Sequence, residues 1–142
     1  MHTEHLQNVR PAGVLFGWFV SVAVVSLLAL LLAATGLVDP ESTGSGGLWG
    51  VLAIGIGFFA GGWLVGSRLG VAPILHGVAI GIVSILVWFV ANLLAGETVA
   101  DSAWTRGSET YYAGLLLLQI VAAALGASVA SRSTRRATVG AA

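Results

Sequence analysis

Apolar positions fall into four long runs, Val14–Leu37, Leu48–Leu69, Ile74–Ala95 and Tyr111–Ala130, with three breaks between them. About twenty residues rising 1.5 Å each cross a ~30 Å hydrocarbon core, so each run is long enough to span a membrane as a helix. The first break is Asp39-Pro40-Glu41 followed by Ser-Thr-Gly-Ser-Gly-Gly, and the second is the tight Gly70–Pro73 reversal. Proline and glycine punctuate both, and Pro73 suits the first turn of the next helix. The third break, Gly96–Thr110, carries Glu97, Asp101, Trp104, Arg106 and Glu109. The pattern predicts an all-α integral membrane four-helix bundle in a single domain, with antiparallel neighbours and the second helix at its centre.

That second helix sits in the richest glycine stretch of the chain. Gly44–Gly81 holds 12 of the 20 glycines, and inside a soluble helix each would cost roughly 1 kcal/mol relative to alanine. In a bilayer, small residues instead let helix backbones approach closely. At about 100° per residue, Gly46, Gly50, Ala53, Gly57 and Gly61 share one face, while Gly55, Gly62 and Gly66 lie nearly opposite. Two small faces predict two close neighbours. Shorter stripes mark the other spans: Gly13, Gly17 and Ser21 in the first; Gly77, Gly81, Ser84, Ala91 and Ala95 in the third, with Trp88 among them and Asn92 at the margin. In the fourth, Tyr112, Gln119, Ala122, Ala123, Gly126 and Ala130 share a face. The expected packing positions are Gly50, Gly57, Gly61, Gly62, Gly66, Gly77, Gly81 and Gly126.

Composition supports the membrane reading. The chain is 57% hydrophobic and 8% charged, with a mean hydropathy of +0.96, against about 25% charged residues in a soluble domain. With no cysteine, disulfides, thiolate metal sites and thiol catalysis are excluded. No long basic run points to nucleic acid, and arginine as the sole basic residue suggests a GC-rich bacterial genome. The first run exceeds the roughly 7–15 apolar residues of a secretory signal; the alternative, a cut near Ala33–Ala34, is the weaker reading.

Charge placement orients the bundle. Arg10, Arg68, Arg132, Arg135 and Arg136 flank one side, while Asp39, Glu41, Glu97, Asp101 and Glu109 lie on the other with Arg106. The positive-inside rule then places both termini and the Gly70 turn in the cytoplasm of a cell membrane. Aromatics agree: Trp18 and Trp63 lie towards the inner interface, and Trp49, Trp104, Tyr111 and Tyr112 towards the outer. There is also a short internal repeat, in which Leu15, Gly17 and Gly36 recur as Leu75, Gly77 and Gly96. Duplication of a hairpin and shared membrane composition both explain it.

Candidate chemistry is sparse. His2 and His5 are three apart without a nearby third ligand, and the acidic loops match no calcium-loop spacing, so no metal or cofactor is expected. No carboxylate lies within a span, and no catalytic triad, zinc motif or phosphate loop is present, which argues against an enzyme. Gln119, mid-span, reads first as interhelical glue and second as a lining position in a solute path; Asn92 is a similar candidate nearer the outer interface. Arg68 and His76 flank the cytoplasmic turn. They read as interfacial anchors, or as contacts for one phosphate of an anionic lipid, with free N–H groups at the start of the third helix.

Gly61-Gly62-Trp63-Leu64-Val65-Gly66-Ser67-Arg68, followed by His76-Gly77 and Gly81, resembles the Gly-Gly-x-x-x-Gly-x-Arg … His-Gly-x-x-x-Gly pattern of small four-span bacterial membrane proteins of unknown function. The likeness covers the second and third spans and implies the architecture, with no reaction attached. The expected function is that of a non-enzymatic membrane module acting by helix association, as homo-oligomer or subunit of a complex, with the lipid bilayer as its other partner. The alternative is a small-solute transporter or channel lined by the Gln119 and Asn92 faces.

Overall fold

The computed structural model describes residues 5–37, 46–69, 71–94 and 109–140. After a single 3-10 turn at Leu6–Asn8 come four helices and no strand among the described residues: α1 Pro11–Ala34, α2 Gly46–Leu69, α3 Pro73–Leu94 and α4 Glu109–Gly140. All four are long and apolar enough to cross a membrane. The chain is a multi-pass, all-α membrane protein by length and composition of its helices.

Local chemistry sets the helix ends. Pro11 opens α1 after Arg10, whose extended backbone (φ −98°, ψ 111°) puts it outside the helix. At the other end Gly36 takes φ +69°, and its N–H donates to Ala33 O while that of Leu37 donates to Leu32 O. These two bonds are the Schellman arrangement, which needs a left-handed residue at Gly36 and ends α1 three residues short of the predicted Leu37. α4 overruns its predicted end at Ala130, because no proline or glycine interrupts 131–139.

Contacts fix the order and sense of the helices. Gly13 lies beside Leu69 of α2 and His76 of α3, and Gly17 beside Val65 and Ile80, so α1 is antiparallel to α2 and parallel to α3. Gly62 faces Ala123 and Gly66 faces Ala127, so α2 and α4 run parallel. The most extensive interface is this parallel one; α1 lies on α2, α3 on α4, and α2–α3 and α1–α3 touch less. The expectation of antiparallel neighbours throughout is therefore corrected. It assumed that consecutive helices also neighbour one another in space, whereas the closest approach joins α2 to α4.

Both small faces of α2 are occupied within the chain. A Cβ added at Gly57 would meet Val25 and the Ser21 carbonyl, and one at Gly61 would meet Ser21 and the Gly17 carbonyl, all on α1. On the opposite side, a Cβ at Gly62 or Gly66 would fall on the backbone of Ala123 or Ala127, and one at Gly126 on the Phe59 carbonyl. α3 meets α4 likewise, with Gly77 against Ala123 and Ala124 and Gly81 against Ile120. Gly50 differs: nothing lies within 4 Å of a Cβ there, although the register sets residue 28 of α1 at that level, so the two helices stand farther apart at that turn.

Burial is concentrated at one end. The core cluster of Val14, Phe58, Val65, Ile80, Ala122 and Ala123 lies in the half of the bundle that carries Arg10, Arg68 and Arg132. Towards the other end Leu30, Leu31, Leu93 and Leu94 are exposed, as lipid-facing residues are. Gly62→Ala is expected to lower stability by about 1–3 kcal/mol through overpacking. Gly50→Ala is expected to leave stability unchanged or raise it by up to about 1 kcal/mol. Unfolding of both variants in mixed micelles measures the difference, and equal effects would refute the assignment of contacts.

Candidate functional site

The arginine-bearing end brings together the starts of α1 and α3 and the end of α2. His76 lies in the first turn of α3, rotated off its glycine face towards α1, where Gly13 leaves room for the ring; the side chain is 0% exposed. The Arg10 N–H donates to its Nε2 at 3.0 Å, so Nε2 is the acceptor. Its Nδ1, 2.9 Å from Ala72 O, is therefore the protonated nitrogen and donates to that carbonyl. The imidazole is thereby a neutral clasp between the start of α1 and the α2–α3 connection. Its bond to Arg10 supplies the capping contact that no side chain at the N-terminus of α1 provides.

This geometry corrects the expectation of an Arg68–His76 ligand contact. Arg68 is exposed and lies over the Phe16 ring at 5.6 Å from the centroid, on the outside of α1. A guanidinium on an aromatic face is a favourable interfacial contact, and Arg68 also suits a helix C-terminus. His76, by contrast, has both nitrogens engaged inside the bundle. The two residues near the turn thus point to different places.

The remaining interior polar groups fall into two kinds. Ser21 and Ser131 are buried and each donates to its own helix, to Gly17 O and Ser128 O at 2.9 Å. Gln119 and Trp18 are not satisfied: Gln119 Oε1 and Trp18 Nε1 are buried without a hydrogen-bond partner among the described residues. Gln119 lies one turn before Ala123, which is 0% exposed between Gly62 and Gly77, so it shares the inward face of α4. Gly17 packs on Ile80 and Gly81 on Ile120, which places Trp18 and Gln119 at similar depth on α1 and α4. The reading of Gln119 as glue therefore finds no donor for its Oε1 among the described residues. Trp18 was read as interfacial only; its position beside Gly17, the tightest point of α1, is the signal that its ring is drawn inward.

Asn92 lies near the far end of α3, and its side chain is outside the described residues, as are His2, Asp39, Glu41, Glu97, Asp101, Arg106 and the side chains of Glu109, Arg135 and Arg136. No group of three metal-ligating side chains occurs among the described residues. On the outside of α3 a shallow apolar groove of about 350 Å³ runs along Leu86, Val87, Val90, Ala91 and Leu94.

No protein-family model, curated protein or solved structure matches the chain. The resemblance to the four-span family stands on Gly61–Arg68 and His76–Gly81 alone.

Two outcomes are expected from the clasp and the orphan oxygen. His76→Ala leaves the Arg10 N–H without its acceptor, which costs about 1–3 kcal/mol, and hydrogen exchange at that amide accelerates. Gln119→Leu removes a buried, unpartnered oxygen, so stability is unchanged or rises by about 1 kcal/mol. A large loss on Gln119→Leu, read by the same unfolding assay, would mean that the amide has a partner.

Proposed function

We propose that the protein is a non-enzymatic multi-pass membrane module that acts by associating with another membrane chain, a second copy or a subunit of a complex. The observation that carries this reading is the shallow groove on α3, an apolar surface that none of the described helices covers. The small-residue faces of α2, α3 and α4 pack against neighbouring helices, so this groove is a surface apart from the one that glycine periodicity suggests. Within the membrane, a hollow filled by a helix gains contacts that fluid lipid chains supply less well.

The cysteine-free chain makes the test direct. Val90→Cys carrying a benzophenone, irradiated in native membranes, is expected to give one discrete protein adduct, while Leu125→Cys on exposed α4 gives none. Lipid adducts alone at Val90 would overturn the reading. A second reading, a solute path, is favoured by the unpartnered Gln119 Oε1. It predicts that aqueous thiol reagents reach cysteines placed at 119, 122 and 123; packing predicts that they do not.

The arginine-bearing end faces the cytoplasm in this proposal, with both termini on the cytoplasmic side of the cell membrane. Its support is that Arg10, Arg68 and Arg132 lie at one end of the bundle, as short loops under the positive-inside bias require. A reporter active only outside the cytoplasm, fused after Ala142, is expected to be silent; activity would reverse the orientation.

A further inference from the structure

The second and fourth helices carry one pattern twice, sixty-four residues apart: Gly62-Trp63-Leu64-Val65-Gly66-Ser67-Arg68 and Gly126-Ala127-Ser128-Val129-Ala130-Ser131-Arg132. Glycine, valine, a small residue, serine and arginine recur in the same order. Their hydrogen bonds recur as well. Ser67 Oγ donates to Leu64 O and Ser131 Oγ to Ser128 O, each at 2.9 Å and each at an equivalent position. The first and third helices correspond at sixty residues, which aligns Gly17 with Gly77 and the helix ends Ala34 and Leu94. The connection 95–108 is three residues longer than 35–45, which accounts for three of the four residues by which the spacings differ.

Packing repeats with the sequence. Gly61 lies on Gly17 and Gly77 on Ala124; Gly57 lies on Ser21 and Gly81 on Ile120. These are the same pairs of positions in each hairpin to within one residue. Between the hairpins the contact is reciprocal: Gly62 lies on the Ala123 carbonyl and Gly126 on the Phe59 carbonyl, and residues 59 and 123 are themselves equivalent. A contact in which one residue meets a second, and their equivalents meet in exchange, is the isologous contact of a two-fold dimer. Shared apolar composition makes similar sequences but does not set the helices at the register where equivalent residues, sixty-four apart, meet in exchange.

We propose that the chain is a fused pair of one helix-hairpin unit, and that the partner fitting the Gly62 face of α2 is the Gly126 face of α4 in a second copy. Two chains associate by exchanging hairpins. This gives the association proposed above a second, independent surface, and rests on that reading only in taking association to be the function. The joint between hairpins is short: residues 70–72 link Leu69 to Pro73. Ala72, buried, sits at φ +46°, where a residue with a Cβ is strained, and Val71 N–H folds back on Leu69 O at 2.7 Å. The His76 N–H and ring both hold the Ala72 carbonyl in that shape. A short strained hinge favours exchange, since opening relaxes it while every interface contact re-forms between copies.

Differently tagged full-length chains test this, one carrying Gly55→Cys and the other Leu118→Cys. The Gly55 position accepts a side chain, as its nearest neighbour is Leu118 Cδ1 at 4.0 Å. Coexpression and mild oxidation are expected to give the mixed disulfide dimer, and Ala72→Gly in both chains, which relaxes the hinge, to lower its yield several-fold. The double variant in a single chain should close internally and shows that the geometry permits the bond. Internal closure without any mixed dimer overturns the exchange. So does equal mixed dimer when exposed Leu30→Cys replaces Gly55→Cys, which would mark random collision. A yield that Ala72→Gly leaves unchanged overturns the role of the hinge. The benzophenone adduct at Val90 is independent of all these outcomes, so failure of exchange and failure of association are told apart.

Discussion

Close backbone contact between α2 and α4 is the constraint on which the rest of the bundle depends. Lipid chains solvate leucine as well as a neighbouring helix does, so apolar area alone does not join helices in a bilayer. What joins them is the van der Waals contact and backbone approach that small residues permit. Gly62, Gly66 and Gly126 provide that approach where two parallel helices meet on each other's carbonyls. With α2 and α4 locked side by side, α1 is left the outer face of α2 through Gly57 and Gly61. α3 is left the corresponding face of α4 through Gly77 and Gly81. The spatial order α1, α2, α4, α3 follows from where the small residues are.

Tight packing is confined to the arginine-bearing half, where helix starts and ends are pinned together. His76 contributes there by a route unusual for a histidine at a membrane boundary: it is buried, neutral and bonded at both nitrogens. Hydrogen bonds so shielded are stronger than in water, and their loss is correspondingly costly. The opposite half has broader exposed apolar faces on α1 and α3, including the hollow along Leu86–Leu94. One end of the bundle is built for rigidity and the other presents surface.

Much of this was legible in the sequence because it depends on periodicity. Span positions follow from apolar run length, and the opposed faces Gly57–Gly61 and Gly62–Gly66 follow from 3.6 residues per turn. Periodicity does not name the neighbour, however. Gly50 lies on the same face as Gly57 but where α1 has drawn away from α2, and nothing in its surroundings along the chain distinguishes it. The parallel α2–α4 contact was hidden for the same reason. Helical periodicity puts His76 about 100° from the glycine stripe of α3, but whether that direction means lipid or α1 depends on the space left by Gly13, sixty-three residues away. The duplication shows most clearly at a spacing of sixty-four in the second half of each hairpin, and only the reciprocal contacts distinguish it from shared composition.

Among the described residues two buried groups, Trp18 Nε1 and Gln119 Oε1, have no hydrogen-bond partner, and they stand out in an interior held largely by backbone approach at glycine. The account as a whole turns on the self-complementary contact between α2 and α4. Solid-state NMR of labelled protein in lipid bilayers reports it directly, through carbon–carbon correlations from Gly62 Cα to the Ala123 carbonyl and from Gly126 Cα to the Phe59 carbonyl. Both cross-peaks, building up at similar rates, are predicted. The absence of both, or a strong peak on one side without its counterpart, would contradict a contact that repeats across an approximate two-fold axis.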